Sequence, residues 1–241
     1  MGEIKLEERS MMRKAKNARP SSTQQVKPLT WKRVPDQGVL VITGHRGEGK
    51  SALGWWLAQE MNRRTKKPVV AFGIPKEAQA HLPKRGFGRG GIQYIHDLTA
   101  LATLKPSIVI CDEAAFIANS RRAMSKENQE WLKLIAVARH KDHLLIFIHQ
   151  HSRQLDVQIL MDADLVLMKR PTMLHLRAAK GIFEPEIEEA FHLFSDMTGS
   201  TKKKVYVVDY HYGNATMLKA SMPTWWNDKI SKSYSTVDLL S

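Results

Sequence analysis

Cysteine is almost missing. Cys111 stands alone in 241 residues, so no internal disulfide can staple the fold. Set in an apolar run, its thiol reads as an inert core group. Long hydrophobic runs are missing too: none reaches the roughly 18 apolar residues of a membrane span, which excludes a spanning segment. No apolar signal-peptide core follows Met1, so the expectation is a cytosolic protein. Acidic residues are scarce beside basic ones, 24 against 37, for a net charge of +13. Nine Lys/Arg against three Glu in residues 1–33 account for +6, and the rest of the chain still carries +7. A basic surface beyond the tail points to a polyanionic partner, most often nucleic acid. No internal repeat is visible. With 43% hydrophobic residues, the chain can bury the core of one α/β domain with modest additions.

Residues 1–30 are polar, basic and poor in aromatics, the composition of a flexible arm. Residues 31–220 read as the domain and residues 221–241 as a C-terminal tail that begins near Trp225-Trp226 and packs on it. Within the domain, apolar runs of strand length alternate with helical patterns. That alternation predicts a mostly parallel sheet with helices on both faces. Strands are expected at 38–43, 68–73, 107–112, 144–148 and 165–168, with a short extra one at 92–95. Helices are expected from Ser51 to about Arg64, from Asn128 to about Lys141 and from Pro185 to about Met197. Val205–Tyr210 and Thr216–Lys219 predict a C-terminal β-hairpin around Gly213-Asn214.

The first strand runs into Gly44-His45-Arg46-Gly47-Glu48-Gly49-Lys50-Ser51, the phosphate-loop pattern G-x-x-x-x-G-K-[ST], and a helix continues through Ala52. Glycines let backbone N–H groups turn inward around a triphosphate. Lys50 is expected to reach the β- and γ-phosphates, and the Ser51 hydroxyl to hold Mg²⁺. The helix N-terminus adds a favourable dipole. These residues predict ATP and Mg²⁺ as ligands.

A second acidic strand end completes such a site. Ile108-Val109-Ile110-Cys111 ends in Asp112-Glu113. Asp112 is expected to hold Mg²⁺ through water, and Glu113, pointing differently, to act as general base on the attacking water. The next buried strand ends at His149-Gln150-His151. Gln150 is expected to sense the γ-phosphate or orient water, whereas His149 and His151 read as polar edge residues. Lys84-Arg85-Gly86-Phe87-Gly88-Arg89-Gly90-Gly91 is a basic loop suited to a nucleic-acid backbone, with Phe87 stacking on a base. Arg121-Arg122 is a second candidate for DNA contact. A solvated loop is the alternative for each.

Three further runs are Trp131-Leu132-Lys133-Leu134-Ile135-Ala136-Val137-Ala138-Arg139-His140, His143–Gln150 and Arg153-Gln154-Leu155-Asp156. Together they resemble the FtsK–HerA superfamily, in which a helix ending in Ala-Arg pairs with a strand ending in Gln. Arg139-His140 before the strand and Met161-Asp162-Ala163-Asp164 after it also resemble Zot-like ATPases of filamentous phages and viral genome-packaging ATPases. The resemblance covers about residues 38–170. The chain departs from the large members in lacking an obvious additional DNA-binding domain, which favours the compact viral type.

The resemblance implies a RecA/ASCE-like P-loop NTPase forming a homo-oligomeric ring, usually a hexamer. Such a ring hydrolyses ATP between subunits and moves DNA through its centre, with double-stranded DNA the expected partner and single-stranded DNA the alternative. It implies Lys50 and Ser51 on phosphate and Mg²⁺, Asp112 on the metal, Glu113 on water and Gln150 as γ-phosphate sensor. Arg139 is the first candidate for the arginine finger acting on a neighbour's ATP and Arg153 the second, with a surface ion pair as the alternative for either. A capsid or virion-vertex protein is an implied partner, and the host cytoplasm or the virion the implied location. The leading expectation is a genome-packaging motor, followed by a Zot-like virion-assembly ATPase. A nucleotide-dependent switch without motor activity is the alternative of another class, and Glu113, which a switch does not need, argues against it.

Overall fold

The computed structural model describes residues 30–74, 76–88, 90–112, 135, 140–149, 161–178 and 184–233. Eight strands form one sheet: β1 (Gly38–Thr43), β2 (Val69–Phe72), β3 (Ile92–Ile95), β4 (Ile108–Asp112), β5 (Leu144–Ile148), β6 (Leu165–Met168), β7 (Lys204–Asp209) and β8 (Asn214–Lys219). Their order is β3-β2-β4-β5-β1-β6-β7-β8. The first six run parallel, while β7 and β8 are antiparallel and close the sheet with the expected hairpin.

The parallel strands β1, β2, β4, β5 and β6 are buried along their whole length because both faces are covered, while the edge strand β3 is only partly buried. Side chains alternate between two cores. Val39, Val41, Val109, Leu145 and Phe147 face one, with Ile187, Ala190 and Phe194. Leu40, Ile42, Ile110, Ile146 and Ile148 face the other, with Leu53, Trp55, Leu57 and Met61. The second group belongs to α1 (Lys50–Thr65). This helix lies close enough to the sheet that a Cβ on Gly54 would sit 2.5 Å from Ile148 Cδ1.

Three short helices follow: α2 (Lys76–His81), α3 (Met173–Ala178) and later α5 (Asp228–Ser233). Between the last two, α4 (Glu184–Ser195) presents Ile187, Ala190 and Phe194 to the first core at helical spacing. Tyr206 Oη donates to Glu189 Oε2 at 2.6 Å, fixing α4 on β7. The C-terminal segment packs on the domain. Trp225 lies 6.1 Å from Trp55 and 6.0 Å from Phe87, ring to ring, and Ile230 of α5 is buried. Of the helix expected over 128–141, only Ile135, His140 and Lys141 are described, and the rest lies outside the described residues.

Candidate nucleotide site

The phosphate loop connects β1 to α1 at the carboxyl edge of the sheet. It is shaped by three glycines with positive φ: 133° at Gly44, 81° at Gly47 and 83° at Gly49. At Gly44 the restriction is also steric, since a Cβ would stand 2.6 Å from the Lys169 carbonyl oxygen. The backbone therefore runs against β6, and His45 N–H donates to the Arg170 carbonyl at 3.1 Å. α1 begins at Lys50 with Gly49 as N-cap, and no side chain caps it. Its first-turn N–H groups face the loop, as an anion site requires.

Lys50 is only 8% exposed. Its Nζ donates to Gly44 O at 2.9 Å and His45 O at 3.1 Å, so the ammonium arches back over the loop. Ser51 is half-buried in the first turn of α1. A glycine-shaped loop, an uncapped helix start and a buried ammonium, all within residues 44–51, fit a triphosphate and its Mg²⁺.

Strand register brings Asp112 to the same edge. Asp112 pairs with Ile148, and Ile148 with Ile42, one residue before the end of β1. Two strand spacings, about 10 Å in all, separate the β4 and β1 ends. Ligands bind at the carboxyl edge of open parallel sheets. Asp112 is 6% exposed. Its charge adds to burial in pushing the Cys111 thiol far up, so that thiol stays protonated. Glu113, Gln150, Arg139, Arg153, Arg121, Arg122 and Arg89 lie outside the described residues.

An acidic side chain within an anion-binding loop is an electrostatic conflict, and its orientation explains Glu48. Thr201 Oγ1 donates to Glu48 Oε2 at 3.1 Å, at the short 3₁₀ turn Thr201–Lys203 before β7. Lys169 feels the same carboxylate. The residue is 1% exposed, and its amine donates to Lys202 O at 2.7 Å and Lys204 O at 2.8 Å. Burial pulls its pKa down to about 8, and Glu48 opposes that shift. The loop is thus tied through Glu48, Thr201 and Lys169 to the base of the C-terminal hairpin. Sequence reasoning missed this set. Lys169 ends a parallel strand, the same criterion that singled out Gln150, but nothing in the spacing links Glu48 to Thr201.

The basic loop enters β3 at the opposite edge of the sheet, because Ile92 opens β3 level with Val69 at the start of β2. Lys84 and Arg85 are exposed. Phe87 corrects the stacking expectation: it is 1% exposed, with its ring 5.9 Å from Trp55. An apolar side chain beside two tryptophans goes into the core, so it offers no face to a base.

Strand order and phosphate loop together define the P-loop NTPase fold, with β5 inserted between the loop strand and the acidic strand. No protein-family model matches the chain, and no curated protein is similar to it in sequence. Among solved structures, the chain is similar to B204, the DNA-packaging ATPase from Sulfolobus turreted icosahedral virus. The TM-score is 0.56 at 15% identity, over 78% of this chain and 98% of that one. It is also similar to the genome packaging NTPase B204 from Sulfolobus turreted icosahedral virus 2 in complex with AMPPCP. There the TM-score is 0.57 at 14% identity, over 78% of this chain and 100% of that one.

Proposed function

We propose that the chain is an ATP-driven DNA-translocating motor, a viral or phage genome-packaging ATPase that works as a ring. The observation that supports this most is the shared carboxyl edge: a glycine-shaped loop with a buried Lys50 and, level with it, the buried Asp112. The fold likeness to the two packaging proteins over nearly their whole length supports the packaging reading.

In this reading the loop N–H groups and Lys50 bind the β- and γ-phosphates, and Ser51 and Asp112 hold Mg²⁺. When bound, the metal neutralises charge on the phosphate oxygens. Glu113 accepts a proton from water as the water oxygen bonds to the γ-phosphorus and the bond to the ADP oxygen breaks, giving ADP and phosphate. Gln150 orients that water or senses the γ-phosphate. Arg139, or Arg153 in its place, reaches the ATP of a neighbouring subunit and stabilises transition-state charge. Lys84, Arg85, Arg89, Arg121 and Arg122 are the DNA-contact candidates, in a ring whose expected size is six. Duplex DNA and a capsid or virion-vertex protein are the partners, in the host cytoplasm or on the virion. No helix among the described residues is long and apolar enough to cross a membrane.

The test is the ATPase rate with and without duplex DNA, measured beside particle mass. DNA-stimulated turnover in a ring-sized particle is the expected result. Nucleotide binding without turnover would favour the non-motor switch. Turnover that ignores DNA would favour a Zot-like assembly role.

A further inference from the structure

Beside the phosphate loop lies a cleft of about 350 Å³. Its walls include His45 and Glu48 from the loop, Arg170 and Thr172 from the segment after β6, and Phe191 and Ser195 from α4. Because two wall residues belong to the loop itself, an occupant of the cleft is contiguous with an anion held in the loop. The volume falls at the low end of the roughly 300–1,000 Å³ of small-ligand clefts.

We propose that this cleft takes the nucleoside part of the triphosphate and holds it by stacking and shape rather than by reading the base edge. The chain is then a nucleoside triphosphatase with weak base preference. This rests on the nucleotide reading above and extends it to the substrate class.

The half-buried Phe191 is the wall residue with a flat apolar face, and its edge-to-face contact with His192, 5.7 Å between centroids, restrains its ring. Stacking on one aromatic ring is worth roughly tenfold to a hundredfold in affinity, whatever the base. Discrimination between bases requires directed polar groups, and among the described wall residues the side-chain hydroxyls and one oxygen of Glu48 already have partners within the protein. Thr172 N–H donates to His175 Nδ1 at 3.3 Å, which makes that nitrogen an acceptor. The Thr172 hydroxyl lies 2.6 Å from the same atom and accepts from the His175 backbone N–H at 3.4 Å. Ser195 Oγ donates to the Phe191 carbonyl at 2.7 Å. Both hydroxyls are thus engaged within the protein. The Glu48 carboxylate accepts from Thr201. Arg170 and His45 keep N–H groups, but both side chains are exposed, where water competes for those donors. A site that leaves no buried polar group unmet by the wrong base rejects it weakly.

The experiment is equilibrium binding of ATP, GTP, CTP and inorganic tripolyphosphate, each with Mg²⁺, to the full chain and to Phe191→Ala. The unsubstituted chain should bind ATP and GTP within about tenfold of each other. Phe191→Ala should weaken both by about tenfold or more and leave tripolyphosphate within about twofold. Phe191→Leu, which keeps most of the packing volume without the ring, should show the same loss, and Phe191→Tyr should restore affinity. Equal losses for tripolyphosphate and ATP would overturn the proposal, as would unchanged ATP affinity in both Phe191→Ala and Phe191→Leu. A preference beyond about a hundredfold for one base in the unsubstituted chain would overturn it too. If tripolyphosphate binds and ATP binds no better, the cleft proposal fails while the phosphate loop stands. If neither binds, the nucleotide reading fails with it.

Discussion

Glu113 and Arg139 carry opposite halves of the proposed chemistry, and the two can be separated by substitution. Glu113→Gln keeps side-chain size and removes the basic carboxylate. It should bind ATP with near-normal affinity and hydrolyse it at least about a hundredfold more slowly. Isothermal titration beside a phosphate-release assay checks this, and normal turnover would remove Glu113 from the base role. Arg139→Ala should lose about 10³- to 10⁵-fold in turnover if the guanidinium acts as a finger. Mixed with Glu113→Gln subunits, it should regain some activity, because one interface then holds both an intact base and an intact arginine. Mixtures as inactive as either parent, in rings of confirmed mass, would count against action across subunits. Lys50 belongs to the same scale. Its identity was legible in the motif, but its burial and its hold on the Gly44 and His45 carbonyls follow from the way the loop folds.

Among the elements, the basic loop before β3 shows how a local pattern misleads. Interleaved Lys, Arg, Gly and one aromatic suggest a nucleic-acid grip, but Phe87 closes a cluster with Trp55 of α1 and Trp225 of the C-terminal segment. Phe87→Ala should therefore cost about 3–5 kcal/mol of stability by opening a cavity, measured by denaturant unfolding. A variant of unchanged stability with selectively weakened DNA binding would restore the stacking role. Arg85 remains exposed, so Arg85→Ala is the substitution that asks about DNA without disturbing the core. The strands themselves were legible as short continuous apolar runs, the pattern of strands buried on both faces. α2 and α3, six residues each, were not predicted, since so short a segment carries less than two turns of periodicity.

For the whole molecule, two global properties are open to measurement: charge and acid stability. If the chain binds DNA as proposed, its basic surface, net charge +13, should make that affinity fall steeply with salt as phosphate counterions are released. A titration between about 50 and 200 mM salt should show a loss of tenfold or more. Acid stability turns on His143, which is 1% exposed and accepts the Ser107 N–H on Nδ1 at 3.0 Å. Desolvation holds its pKa below the usual 6.5, reinforced by Lys141 and Lys67 and opposed by Asp142; the Ser107 N–H, donated to Nδ1, also favours the neutral ring. As pH falls below 6.5 the unfolded chain protonates this histidine before the folded one does, so stability should decline from there downward. Comparing unfolding midpoints of the chain and of His143→Gln between pH 7.5 and about pH 5 should show a shallower acid decline in the variant. Identical slopes would remove His143 from that role.

The amino-acid sequence alone determined the phosphate loop, the apolar strands with their two faces, the helix that follows the loop and the acidic end of β4. Each is a short-range pattern, specified by backbone conformation or side-chain period within a few residues. Tertiary structure decided what pairing across the chain decides: that β5 lies between β1 and β4 so that Asp112 ends level with the loop, that Glu48 turns to Thr201, that Phe87 is buried, and that α4 closes a cleft beside His45. Hydrophobic periodicity says that a strand is covered but not which strand lies beside it, because that choice is made by packing between residues tens of positions apart.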